Sequence, residues 1–248
     1  MWDWGTIMAV VAIYVVAGGV KGLVGFGLPL VAVGLTAATV GLKEAVALVL
    51  VPAFATNVWQ AWAGPELAGL VRRLWPYLAA ASVTIWMATA LLASGDPVTL
   101  SGALGGVLIL YAGLTLTGVS LPQPGRHEMW LGPVLGAVNG AISGITGVYV
   151  IVTGPWLQML GLRRDALIQA LGLVFTFSTV VLAASMSARS LLTAELAWLS
   201  LAAVAPALAG QWAGQKLRRA LSEDRFRRVF LAALALLGAY LLVRAAMG

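Results

Sequence analysis

Charged residues occur along this chain in short clusters, and long stretches between the clusters contain none. Ala45–Ala63, Leu74–Ser94, Pro97–Gly125, Met129–Leu162, Ala166–Ala188, Leu196–Gln215 and Val229–Val243 carry no Asp, Glu, Lys or Arg. A bilayer-crossing helix needs about 20 apolar residues, and most of these runs suffice. The last is shorter, but Phe226 extends it, with Arg227 and Arg228 snorkelling to the interface. Between Trp4 and Leu42 the single charge is Lys21, beside a glycine-rich tract, Gly22-Leu-Val-Gly25-Phe-Gly27-Leu-Pro29. The pattern predicts an all-α polytopic membrane protein.

The runs fall into two halves of similar design, 1–120 and 129–248, joined by a linker at 121–128 that contains Pro122, Pro124 and Gly125. Each half begins with a long apolar run interrupted by glycine, about Gly5–Val40 and then Trp130–Leu160. A charged turn after Gly-Leu follows (Gly41-Leu-Lys-Glu44, then Gly161-Leu-Arg-Arg-Asp165), and three further spans come next. The likeness is internal duplication of pattern. About 35 helical residues would reach roughly 50 Å, against a hydrocarbon core of about 30 Å, so each first run must break. Gly22, Gly25, Gly27 and Pro29 offer the break in the first run, and Gly140, Gly144 and Gly147 in the second. Each first run therefore reads as two short helices joined by a glycine-rich tip, entering and leaving on one face.

Loop charge agrees better with this reading than with single crossings. The segment Lys216–Arg228 holds Lys216, Arg218, Arg219, Arg225, Arg227 and Arg228 and is placed in the cytoplasm by the positive-inside rule. Counting back through hairpin-type first runs puts Arg163, Arg164, Arg126, Arg72 and Arg73 inside, and Asp96 and Glu195 outside. Lys43, Arg189 and Arg244 fall outside, against the rule. This count makes the halves inverted repeats with one integral membrane domain, and broken helices meeting near the midplane are a common carrier plan.

Composition narrows the class. The 248 residues are 61% hydrophobic and 10% charged, with mean hydropathy +0.96. Soluble domains carry about 25% charged residues, so this chain has no room for one. The net charge of +6 reports orientation and contact with anionic membrane lipid; nothing in it resembles a nucleic-acid module. The absence of cysteine excludes disulfides, thiol catalysis and thiolate metal sites. The opening Met-Trp-Asp-Trp lacks the positive region of a cleaved leader, so the first apolar segment is expected to stay.

The candidate chemistry lies at the two tips. Non-helical backbone at membrane depth survives only inside protein or against a wet cavity. A helix N-terminus presents free N–H groups at the positive end of its dipole, and glycine lets a ligand approach the backbone. The first tip adds Lys21 to Gly22, Gly25 and Gly27. The second adds Asn139, Ser143 and Thr146 to Gly144 and Gly147. The spans that follow add Asn57, Gln169 and Ser178, with Thr56, Gln60, Thr176 and Thr179 nearby. These groups suit an oxyanion. Each also has a plainer reading. Membrane glycines commonly pack helices, Asn57 and Gln169 can bond helix to helix, and Lys21 can snorkel. Gly210 and Gly214, one turn past Pro206, read as a packing face. No Walker motif, no metal-ligating cluster and no catalytic triad is visible, and the only histidine, His127, lies in the central linker. An enzyme, a cofactor and a metal are not expected.

The tracts Gly18-Gly-Val-Lys-Gly-Leu-Val-Gly-Phe-Gly27 and Gly136-Ala-Val-Asn-Gly-Ala-Ile-Ser-Gly144 carry a wider likeness. So does the ending Pro206-Ala-Leu-Ala-Gly-Gln-Trp-Ala-Gly-Gln-Lys-Leu217 with its basic residues and last apolar span. On these residues the chain resembles the TauE/SafE family of sulfite and organosulfonate exporters, also called TSUP, over essentially its whole length. Leu28-Pro29 directly after Gly27, and Thr146-Gly147-Val148-Tyr149 in the second half, depart from the family's denser glycine tracts. The resemblance implies a secondary transporter of small anions (sulfite, organosulfonate or carboxylate) in the bacterial inner membrane. The expected site lies between the two breaks at the midplane, and a homodimer is left open. The competing expectations are a passive anion channel of the same fold and a non-transporting membrane scaffold subunit.

Overall fold

The computed structural model describes residues 2–117, 122–218 and 223–247. The expected repeat boundary at 120/121 and Arg219 of the basic segment lie outside the described residues. Among them the protein is helical, with eleven α-helices and no strand. In chain order these are α1 (Trp4–Val24), α2 (Leu28–Val40), α3 (Leu42–Trp62), α4 (Leu67–Ser94), α5 (Pro97–Thr117), α6 (Glu128–Thr146), α7 (Val150–Met159), α8 (Arg164–Ala188), α9 (Ala194–Ala202), α10 (Val204–Leu217) and α11 (Glu223–Met247). A single 3₁₀ turn, Gly125–His127, leads into α6. Seven segments are long and apolar enough to cross a membrane: α1, α3, α4, α5, α8, the pair α9–α10 and most of α11.

Local chemistry explains several ends. Asp3 caps α1 by accepting the Thr6 N–H at 2.6 Å. Asp96 caps α5 by accepting the Thr99 N–H at 2.8 Å, and Pro97 follows at the first helical position, where no N–H is needed. Pro206 likewise sits in the first turn of α10, after the chain turns at Ala203. Two charged turns are shorter than the sequence suggests. Gly41 alone separates α2 from α3, so Lys43 and Glu44 belong to the first turn of α3; Arg227 and Arg228 belong to α11.

The helices form two compact units, and each unit draws on both halves of the sequence. One holds α1, α2, the start of α3 to Pro52, α5 and α9 to α11. Here α1 lies on α10 through small residues. Gly18 faces the Ala207 backbone, Gly22 faces Gln211, Gly210 faces Val15 and Gly214 faces Gly19. A methyl group at any of the four would run into backbone, so glycine sets how closely the axes approach. In the same unit Gly105 of α5 meets Gly238 of α11, and Gly34 of α2 lies under Leu108 and Leu237.

Proline also shapes this unit. Pro52 has no N–H for the Leu48 carbonyl one turn earlier. Ser200 of α9 supplies the missing donor: its hydroxyl reaches the Leu48 carbonyl at 2.8 Å and accepts the Val51 N–H at 3.1 Å. An outside side chain thereby keeps α3 continuous through its proline.

The second unit holds the rest of α3 from Ala53, α4, α6, α7 and α8. Here α6 lies on α4 as α1 lies on α10: Gly136 faces Tyr77, Gly140 faces Ala81 and Thr84, and Gly144 faces Ile85 and Ala88. Tyr77 also binds Thr153 of α7 at 2.8 Å and stacks on Trp156. Arg73 grips both Glu128 carboxylate oxygens, at 2.6 and 2.8 Å, and reaches the Leu160 carbonyl at 3.4 Å. The start of α6 and the end of α7 therefore meet at one guanidinium.

Candidate functional site

The first break is two glycines deep. Helix α1 closes with the Gly25 N–H on the Lys21 carbonyl at 2.7 Å. Gly25 and Gly27 then have φ of +92° and +98°, a left-handed conformation in which any side chain would be strained. Helix α2 starts at Leu28, with Pro29 in its first turn and no side chain capping it. The early amides of α2, those of Leu28 and Leu30, thus stand at the positive end of the helix dipole. Nothing lies within 4 Å of where a Gly25 methyl would sit. Lys21 occupies the last turn of α1 and is 3% exposed. Among the described residues it is the only charged side chain that is buried. Gly22, expected in the break, remains inside α1 with its open side pressed on the Gln211 and Gln215 backbones. It packs helices and does not turn the chain.

The second break is built differently. Helix α6 runs through Gly140 and Gly144, both expected to interrupt it, and ends only at Thr146. Those two glycines are consumed by contact with α4. Gly147 turns the chain at φ +68° and donates its N–H to the Ser143 carbonyl at 2.8 Å. Hydroxyls hold the turn. Ser143 Oγ lies 2.6 Å from the Asn139 carbonyl and 3.1 Å from the Val148 carbonyl, sharing one proton. Thr146 donates to the Ile142 carbonyl at 2.8 Å and accepts the Val148 N–H at 3.3 Å. Tyr149 then tilts against Phe175 of α8, ring centres 6.0 Å apart, before α7 begins at Val150.

Four side chains expected at the site are buried, and their bonding differs. Asn139 stands one and two turns before Ser143 and Thr146 on the same face of α6; it is fully buried, and neither atom of its amide has a hydrogen-bond partner. Ser178 is also fully buried, one turn past Phe175, and its hydroxyl has no partner. Gln169 is committed elsewhere. Its Nε2 donates to the carbonyls of Ala61 at 2.8 Å and Gly64 at 2.6 Å, and its Oε1 accepts the Glu66 N–H at 3.1 Å. It ties the α3–α4 turn to α8. Asn57 is fully buried within α3.

Sequence reasoning passed over Ser200 and Gln211. A serine in an apolar span gives no sign that a proline 148 positions away needs it. Gln211 shows its value only through the glycine that rests on it. Each break holds groups that can donate to a negatively charged ligand: Lys21 and the uncapped α2 amides at the first, the Asn139 amide at the second.

Comparison with known proteins gives a single answer. Neither a curated protein nor a solved structure matches the chain. The family model for the sulfite exporter TauE/SafE matches residues 10–241, which take in both breaks and most of α11. An all-helical membrane protein with a buried lysine at a glycine break, matched from α1 to α11, belongs to the TauE/SafE sulfite exporter family.

Proposed function

We propose that this protein is a secondary transporter that exports sulfite or an organosulfonate across the bacterial inner membrane, with the two helix breaks as its anion-binding elements. The observation that carries the reading is Lys21, buried in the last turn before a break whose next helix opens with uncapped amides. A buried ammonium in a membrane protein is costly and marks a pathway or a site. Lys21 compensates the anion's charge while the Leu28 and Leu30 amides take its oxygens. The second break, taken by itself, offers a ligand a neutral group, the unpartnered Asn139 amide. An inside-negative potential drives an anion outward by about 2.3 kcal/mol per charge per 100 mV.

Two features support hairpin runs in inverted repeats. Arg73 touches both ends of the α6–α7 run, as entry and exit on one face requires. The two glycine interfaces also share a register. Gly18 on Ala207 and Gly22 on Gln211 match Gly136 on Tyr77 and Gly140 on Ala81, with 118 positions between the glycines and 130 between their partners in each case. In both cases the first helix of one half rests on a helix of the other half.

Reconstitution into proteoliposomes tests the reading, with sulfite, taurine, sulfoacetate, sulfate and simple carboxylates compared in wild type and Lys21→Ala. The expected result is saturable exchange of sulfite or a sulfonate, lost in the variant. Flux that saturates only at very high concentration and without exchange would make the protein a channel. A Lys21→Ala protein that behaves like wild type toward every anion would remove Lys21 from the site.

A further inference from the structure

We propose that the ligand taken at the second break brings a hydrogen-bond donor of its own: hydrogen sulfite, or a sulfonate that carries a hydroxyl or amino group. The inference rests on the transport reading above and sharpens its substrate. Asn139 is fully buried, and both Nδ2 and Oδ1 lack a partner. It is tied to the break through its own backbone, because the Ser143 hydroxyl that meets the Asn139 carbonyl also meets Val148. Its companions on that face, Ser143 and Thr146, have spent their hydroxyls on the turn.

A carboxamide offers two donors and an acceptor. The oxygens of any oxyanion satisfy Nδ2. They cannot satisfy Oδ1, because lone pairs would face lone pairs. Exchanging the oxygen and nitrogen positions changes nothing, since both are unpartnered. The α8 hydroxyls without partners, Thr176 and Ser178, can rotate to donate or accept and so impose no demand. The Asn139 oxygen is thus the group that sorts ligands. A site built to accept a substrate's O–H or N–H rejects the analogue that lacks it, because its buried polar atom is left unpaired. Sulfate, dianionic sulfite and plain alkanesulfonates carry acceptors only. Hydrogen sulfite, 2-hydroxyethanesulfonate and taurine each supply a donor.

The test is a matched pair in proteoliposomes: 2-hydroxyethanesulfonate against ethanesulfonate, which differ by one hydroxyl. Uptake of the hydroxylated anion should be favoured at least about tenfold, the size of one buried hydrogen bond. Sulfite uptake at fixed total concentration should fall from mildly acidic to mildly alkaline pH, as hydrogen sulfite loses its proton. The sulfonates, permanent anions over that range, control for titration of the protein. Binding to Asn139→Leu, read by thermal shift, should bring the ratio of the pair toward one. Equal uptake of the pair by wild type, or sulfite flux that rises with pH, overturns the inference while leaving the transport reading intact. If no sulfonate and no sulfite moves at all, both fall together.

Discussion

Lys21, Asn139 and Gln169 are three polar residues in apolar surroundings, and the structure gives each a different fate. One charge in a run from Trp4 to Leu42 pointed to a buried Lys21 with snorkelling as the alternative, and the fold buries it. Asn139 and Gln169 look alike in sequence. Only the fold shows that one amide is saturated and the other is not. That difference yields a prediction. Gln169→Leu should lower stability by about 1–3 kcal/mol, because the Ala61 and Gly64 carbonyls and the Glu66 N–H lose partners. Thermal denaturation in detergent would register it as a clear drop in Tm. Asn139→Leu, which strands no partner, should cost much less.

At the scale of the helix, glycine is the ambiguous letter. Gly22, Gly140 and Gly144 read as break residues, yet they continue their helices and let a neighbour's backbone come close. Gly25, Gly27 and Gly147 turn the chain at positive φ. The residue type is the same in both groups, and the deciding fact, what lies opposite, is a property of the partner helix. Alanine substitutions separate the roles. Gly18→Ala and Gly136→Ala drive a methyl into the Ala207 and Tyr77 backbones and should prevent close docking of α1 and α6, with marked loss of folded protein on size exclusion. Gly106→Ala in α5 meets nothing within 4 Å and should be neutral or stabilise by up to about 1 kcal/mol. The Pro52–Ser200 device predicts a coupling as well. Ser200→Ala strands the Leu48 carbonyl and should destabilise by about 1 kcal/mol. Pro52→Ala restores the missing N–H, so the serine's loss should cost clearly less in that background. A double-mutant cycle by thermal denaturation that shows simple additivity would refute it.

For the whole molecule, orientation is the open expectation that the chain itself makes easy to check. With no native cysteine, single introduced cysteines report sidedness without background. Cysteines replacing Arg126 and Lys216 should react only with reagent applied from the cytoplasm, and one replacing Asp96 only from outside. Labelling of the Arg126 position from outside would favour single crossings of the first runs. The sequence by itself determined the class: an all-helical membrane protein, the need for a break in each long run, and the lysine beside the first. These are local sums of transfer cost and length, and no partner is needed to evaluate them. Only the tertiary structure decided which glycines turn and which pack, that α1 rests on α10 and α6 on α4, and that Ser200 mends α3 while Gln169 closes a turn. Those outcomes depend on which surfaces meet between helices far apart along the chain. A single residue type serves both roles, so the pairing has to exist before the role does.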